Sequence, residues 1–218
     1  MEEQKYLYIA FVSSPYLTGK IIRKFTKYPY NHMEIGFSSN LDYFWSFSRR
    51  YKKAPFYAGF TPESAKRFLN RGKYADIKIC AVPVSSEQFL LAKKETEYLY
   101  EHREEYIYNL IGAFGYNFGK FIRIEKSAIC VEFVLSMLKK HGGISVLKEK
   151  DFFSIKELSS ILDEYKIYEG SGEKFYKTAE WKEDEFPKEK SGFFYMKNTI
   201  KTNAELIKRF LKSALKER

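Results

Sequence analysis

The sequence predicts an α+β fold, and three observations carry the prediction. Residues 6–12 and 77–84 are apolar runs rich in β-forming residues, with the length of buried strands. Residues 32–38 alternate, with Met33, Ile35 and Phe37 on one face and His32, Glu34 and Gly36 on the other. Two capping boxes, Ser85 with Gln88 and Ser154 with Glu157, each stand directly before an apolar pattern of helical spacing.

The remaining elements follow in order. Residues 17–27 carry Ile21, Ile22 and Phe25 at the spacing of a short helix. Ser38, Ser39 and Asn40 supply turn chemistry between the alternating strand and an aromatic one over 43–48, which predicts a β-hairpin. Thr61 followed by Pro62 reads as an N-cap and first helical residue, opening a helix to about Asn70. The strand over 77–84 contains Cys80, and the helix after Ser85 carries Phe89, Leu90, Ala92, Leu99 and His102. Residues 106–121, with Gly112, Gly115 and Gly119, read as irregular. Ser127 is the expected cap of a helix from about Ala128 to Lys140, closed by His141-Gly142-Gly143.

These elements define a domain over residues 1–170 and an appendage over 171–218. Residues 171–200 balance at six basic and six acidic side chains, and the mixed-charge stretch 171–192 includes Pro187, the composition of a linker or an extended wrap. Thr202 or Asn203 would cap a final helix with Leu206, Ile207, Phe210, Leu211, Ala214 and Leu215 on one stripe. Lys208, Arg209, Lys212 and Lys216 surround that stripe, so the 203–218 helix either docks on its own domain or lies on anionic lipid.

Composition excludes several classes. In 218 residues, 20 Phe and 18 Tyr give ample material for a core, which rules out disorder throughout. No run approaches the roughly 20 apolar residues of a membrane-spanning helix. The N-terminus lacks a basic region followed by an apolar one, so a cytoplasmic protein, peripheral at most to a membrane, is expected. The net charge of +10 favours anionic partners, yet no Lys/Arg stripe interleaved with stacking aromatics points to specific nucleic-acid binding. Two cysteines make no disulfide framework, and neither Cys nor His falls at zinc-ligand spacing, so neither metal nor cofactor is expected.

Two residues suggest chemistry. As the third residue of a helix, Cys130 would sit near unpaired N–H groups and the positive end of the helix dipole, which favour the nucleophilic thiolate. The plainer account makes it a small apolar residue packed with Val134 and Leu138. His102 and His141 have easy explanations as helix C-terminal cations, whereas His32 opens a strand opposite its apolar face. His32 is therefore the candidate base, with a hydrogen-bonded structural histidine as the competing account.

The segment Tyr30-Asn31-His32-Met33-Glu34-Ile35-Gly36-Phe37, followed a hundred residues later by Ala128-Ile129-Cys130-Val131-Glu132-Phe133-Val134, resembles the circularly permuted NlpC/P60 papain-like proteins. These include YiiX-like hydrolases and lecithin:retinol acyltransferase-like enzymes, in which the histidine strand precedes the cysteine helix. The resemblance covers about residues 5–165. It implies an antiparallel papain-like sheet packed against helices, and a Cys130 thioester formed with His32 as base. It also implies an amide, ester or thioester substrate, either a lipid or other acyl compound or a peptide. Tyr108, in Tyr108-Asn109-Leu110-Ile111-Gly112, resembles the tyrosine before the family's cysteine and would line the site. The family places a polar residue that orients the imidazole on the strand after the histidine, but residues 42–48 have no carboxylate or amide in their middle. Ser46 and Ser48 share a face with His32 if even residues pair, and Glu34 lies about 6.6–6.8 Å along the same strand. The orienting residue is left open among these three. Its absence from the expected strand supports the other reading, a papain-like scaffold that binds lipid or a protein without catalysis.

Overall fold

A computed structural model describes residues 4–70, 72–116 and 118–216; the side chains of Thr18, Phe25 and Lys216, and residues 217–218, over which the sequence predicts the end of the last helix, lie outside the described residues. The chain is α+β. Its first half comprises β1 (Lys5–Val12), α1 (Leu17–Thr26), β2 (His32–Gly36), β3 (Tyr43–Tyr51), β4 (Ala54–Ser64), β5 (Leu69–Asn70), β6 (Lys73–Tyr74) and β7 (Asp76–Val84). Next come α2 (Ser86–Glu101), β8 (Ile107–Tyr108), α3 (Leu110–Tyr116), β9 (Ser127–Ala128) and α4 (Cys130–His141). The chain continues with α5 (Ile155–Ile161), β10 (Lys166–Ser171), α6 (Glu173–Thr178) and α7 (Gly192–Lys216). Eight strands form one sheet in the order β10-β7-β1-β2-β3-β4-β8-β9, antiparallel except for the β8–β9 pair.

The central strand β1 is apolar on both faces because both faces are covered. On one side Leu7, Ile9 and Phe11 join Met33, Ile35, Phe47 and Phe60 beneath Val134, Met137 and Leu138 of α4. On the other, Ala10 and Val12 meet Phe44, Ile77 and Ile79 under Phe175 and Tyr176 of α6. The capping boxes form as predicted: the Gln88 N–H donates to Ser85 Oγ (3.1 Å), and the Ser85 N–H to Gln88 Oε1 (3.0 Å). Ser154 and Glu157 repeat the arrangement at 3.2 and 2.8 Å. Ile35 pairs with Trp45, so even residues of β2 and β3 do share a face.

Four expectations are corrected. Thr61 and Pro62 lie inside β4, paired with Ser46 and Trp45, rather than opening a helix. The aromatic strand β3 runs on to Tyr51 and recruits the whole of residues 54–64 as its partner. Pro62 is tolerated because β8 touches β4 only at Gly59, which leaves position 62 on an open edge. A single 3-10 turn, Ala65–Phe68, follows, capped by Ser64. Second, Ser127 is not a cap: it pairs with Ile107 in β9, and α4 begins at Cys130 with Ile129 as N-cap. Cys130 is thus the first helical residue, not the third. Third, the irregular 106–121 stretch contains β8 and α3. Fourth, α7 starts at Gly192, ten residues before the expected cap; of the two forms open to 171–192, the structure shows the wrap, packed on the domain through α6 and Asp184.

Gly59 has a specific duty in this arrangement. An added Cβ would run into the Tyr106 carbonyl oxygen and crowd the Arg50 guanidinium, so only glycine lets β8 approach β4. Gly59→Ala is expected to cost about 1–3 kcal/mol, read from urea unfolding. An unchanged midpoint would show that β8 shifts freely.

Candidate active site

Three elements bring the chemistry together. β2 presents His32 at its first position, the start of α4 presents Cys130, and the end of β4 presents Glu63. All three line one cavity of about 260 Å³ together with Ser48, Arg67, Phe68 and Tyr108. The His32 Nε2–H donates to Glu63 Oε2 at 2.5 Å, and Cys130 lines the same cavity, near enough for its charge to act on the imidazole. With Nε2 committed to Glu63, Nδ1 is the ring nitrogen left for the thiol. His32 and Cys130 are 9% and 6% exposed, so the pair is screened from bulk water but open to the cavity.

Local structure explains the aim of each group. Ile129 offers no side-chain oxygen to cap α4, and Glu132 bonds back only to the Ile129 N–H (3.1 Å). The N–H of Cys130 has no partner within the helix, as at every first helical position. Tyr108 pairs with Ala128 across the parallel β8–β9 ladder, two residues from the cysteine. Burial, with the Cys130 charge second, pushes the Tyr108 pKa up, so its hydroxyl stays a proton donor.

Glu63 is the orienting residue that sequence reading missed. Thr61-Pro62 has the form of a helix start, which hides residue 63 as a strand carboxylate; the pairing of the aromatic strand β3 with β4 is the contrary signal. Glu63 is 1% exposed and heavily supported. Oε1 accepts hydrogen bonds from Ser48 Oγ and from Arg67 Nη1, the latter at 2.9 Å. Arg67, 2% exposed, also bonds the Arg49 carbonyl (2.8 Å) and forms a two-pronged pair with Asp184, Nε to Oδ2 at 2.6 Å and Nη2 to Oδ1 at 2.7 Å. Charges therefore alternate along a buried row of His32, Glu63, Arg67 and Asp184.

This row sets protonation. Burial alone would raise the Glu63 pKa, but the His32 and Arg67 charges, with hydrogen bonds from His32 and Ser48, hold it down at about 2. Burial alone would lower the His32 pKa, and the charges of Glu63 and Cys130 reverse that, leaving it well above the ordinary histidine value. Glu34 goes the other way: burial and the Glu63 charge raise its pKa well above the carboxylate range, so it is a neutral acid.

The other anticipated residues divide. Ser48 belongs to the site through Glu63. Ser46 does not reach the imidazole: its hydroxyl donates to the Met33 carbonyl (2.7 Å) and ties β2 to β3. Glu34 lies beside Glu63 rather than orienting His32, and its Oε2 has no hydrogen-bond partner. Cys80 is a buried, unpaired thiol in β7, and burial pushes its pKa to about 12. His141 pairs with Glu95 (2.9 Å) at the end of α4.

Donor atoms of His32, Glu34 and Glu63 lie within 4.8 Å of one another, the one feature of this region that resembles a metal set. The donor chemistry fits a cation poorly, because Glu34 is protonated and the Arg67 charge already occupies Glu63. No family model, curated protein or solved structure matches this chain.

The Glu63 shift has a signed consequence for stability. Its folded pKa near 2 lies below the unfolded value of 4.5, so its contribution is present above pH 4.5 and lost as the pH falls toward 2. Glu63→Gln is expected to lower unfolding free energy at pH 7 by about 3 kcal/mol, and by progressively less in acid. A loss that does not shrink with pH would mean that shape, not charge, is what Glu63 supplies.

Proposed function

We propose that this protein is a cysteine-nucleophile hydrolase or acyltransferase of the permuted papain-like kind, acting on an amide, ester or thioester. The observation that carries the reading is one cavity lined by Cys130, His32 and Glu63, with His32 hydrogen-bonded to the buried Glu63. An imidazole held between a thiol and a buried carboxylate is what nucleophile activation requires. Glu63 also answers the argument for a non-catalytic scaffold, which rested on a missing third residue.

The mechanism follows from the groups present. The Cys130 sulfur attacks the substrate carbonyl carbon, and its proton resides on His32. The carbonyl oxygen becomes an oxyanion, for which the Cys130 N–H and the Tyr108 hydroxyl are the proposed donors. Collapse breaks the bond to the leaving group, which takes the proton from His32 and departs, leaving a Cys130 thioester. Water, or an acceptor alcohol or amine, then attacks the thioester while His32 takes its proton. His32 returns that proton to the departing sulfur. Glu63 keeps the ring oriented and stabilises the imidazolium, while Arg67 keeps Glu63 ionised.

Exposed apolar side chains favour an acyl substrate over a peptide. Phe56, which lines the cavity, is 57% exposed, and α1 and α3 add exposed Ile21 and Phe114 nearby. A second, mainly apolar hollow of about 830 Å³ lies between α1 and α3 and shares Ile22 with the first. A chain leaving the Cys130 carbonyl site would have somewhere apolar to go.

Iodoacetamide alkylation with mass-spectrometric site assignment tests the pair directly. Cys130 is expected to react faster than the buried Cys80, and to lose at least about tenfold of that rate in His32→Ala. Turnover of acyl esters is expected to vanish in Cys130→Ala, to fall about 10²–10⁴-fold in Glu63→Gln, and to survive chelators. A Cys130 that reacts no faster than Cys80, with no effect of His32→Ala, would remove the enzyme reading.

A further inference from the structure

We infer that α7 is an interfacial helix that lays its outer face on an anionic phospholipid bilayer. The argument is independent of the Cys130 chemistry and begins with how the helix is already used. Its inner face is fully engaged: Phe194 and Tyr195 pack on Tyr51 and Tyr57, and Leu206 and Phe210 pack near Ile107 and Ile124. Polar contacts fasten the same face, with Asn203 Nδ2 donating to the Phe56 carbonyl (3.1 Å) and Arg209 Nη1 to the Glu105 carbonyl (2.9 Å). Orientation on the domain is therefore fixed, and what the helix turns outward is a built feature.

That outer face is apolar. Phe193, Met196, Ile200, Ile207, Leu211 and Leu215 are each 52–73% exposed. At 3.6 residues per turn, these positions fall on one stripe about 33 Å long. Lys197, Lys201, Lys208 and Lys212, all exposed, form a row along one flank of it. Large apolar side chains bordered by lysines suit the boundary between acyl chains and anionic head groups, where the lysine stems lie along apolar surface while their ammonium groups reach phosphate.

Charge argues against a second copy of this chain as the occupant. Among the described residues, the only acid on α7 is Glu205, already engaged by Arg209 (2.9 Å) and by Lys208 of the row (3.8 Å). Two such stripes packed together would bring no further carboxylate to Lys197, Lys201 and Lys212, so the partner has to supply the negative charge. The helix is also no membrane span: no described helix is long and apolar enough to cross a bilayer.

The test is flotation of the full chain with vesicles of phosphatidylcholine alone, or with about 30% phosphatidylglycerol. Binding is expected only to the anionic vesicles, weakening at least about tenfold between 0.1 and 0.5 M salt. Ile200→Asp with Ile207→Asp should abolish it, and Lys201→Glu with Lys208→Glu should weaken it about tenfold or more. Thermal melting should be unchanged in both, since these side chains point away from the domain. Failure of the folded wild type to bind anionic vesicles overturns the inference. Undiminished binding by the Ile200/Ile207 variant does so too, and assigns the contact to the apolar residues around the cavity. A dimer by light scattering that the same variant dissolves, without vesicle binding, gives the stripe to a second copy.

Discussion

A buried guanidinium is the constraint on which the rest of this structure depends. Taking Arg67 out of water costs several kcal/mol unless its donors and its charge are all met. Three separate pieces of chain meet them: Glu63 at the end of β4, the Arg49 carbonyl with Ser48 on β3, and Asp184 from the segment before α7. Phe186 closes over the guanidinium at 4.7 Å. Because all three pieces have to converge on one planar group, their relative positions are fixed to within hydrogen-bond tolerance. Glu63 inherits that precision, and His32 inherits it from Glu63.

Much of this arrangement is legible from sequence, and the illegible part has a physical pattern. β1, β7, α2 and α5 were readable because their signals are local: apolar runs long enough to be covered on both faces, and capping boxes closed within four residues. Cys130 and His32 were readable by chemistry and elimination. Glu63 was not, because Thr61-Pro62 is a genuine helix-start signature that lost to long-range pairing with the aromatic strand β3. Ser127 failed likewise, drawn into the β8–β9 ladder while Ile129 took the cap position. The start of α7 was hidden because its first ten residues are held by Tyr51 and Tyr57, which lie far away in sequence.

The tail was the least legible segment and turns out to be integral. A division at residue 170 matches the end of the sheet, since β10 closes at Ser171. It does not match the packing. Asp184 is 1% exposed, receives the Ser64 and Phe186 N–H groups as well as Arg67, and stands one ion pair away from Glu63. A mixed-charge stretch with a proline suits a linker or an extended wrap by composition; the burial of one aspartate in it decides for the wrap.

The position of Asp184 in the chain carries a consequence for biosynthesis. His32, Glu63, Arg67 and Cys130 all leave the ribosome before it does. Until residue 184 emerges, the guanidinium that steadies Glu63 lacks its strongest partner, and the nascent chain holds the thiol and imidazole without the clamp that registers them. A translation product halted near residue 170 would hold His32, Glu63, Arg67 and Cys130 and lack the keystone. The order of synthesis thus closes the clamp only after every group it registers has been made.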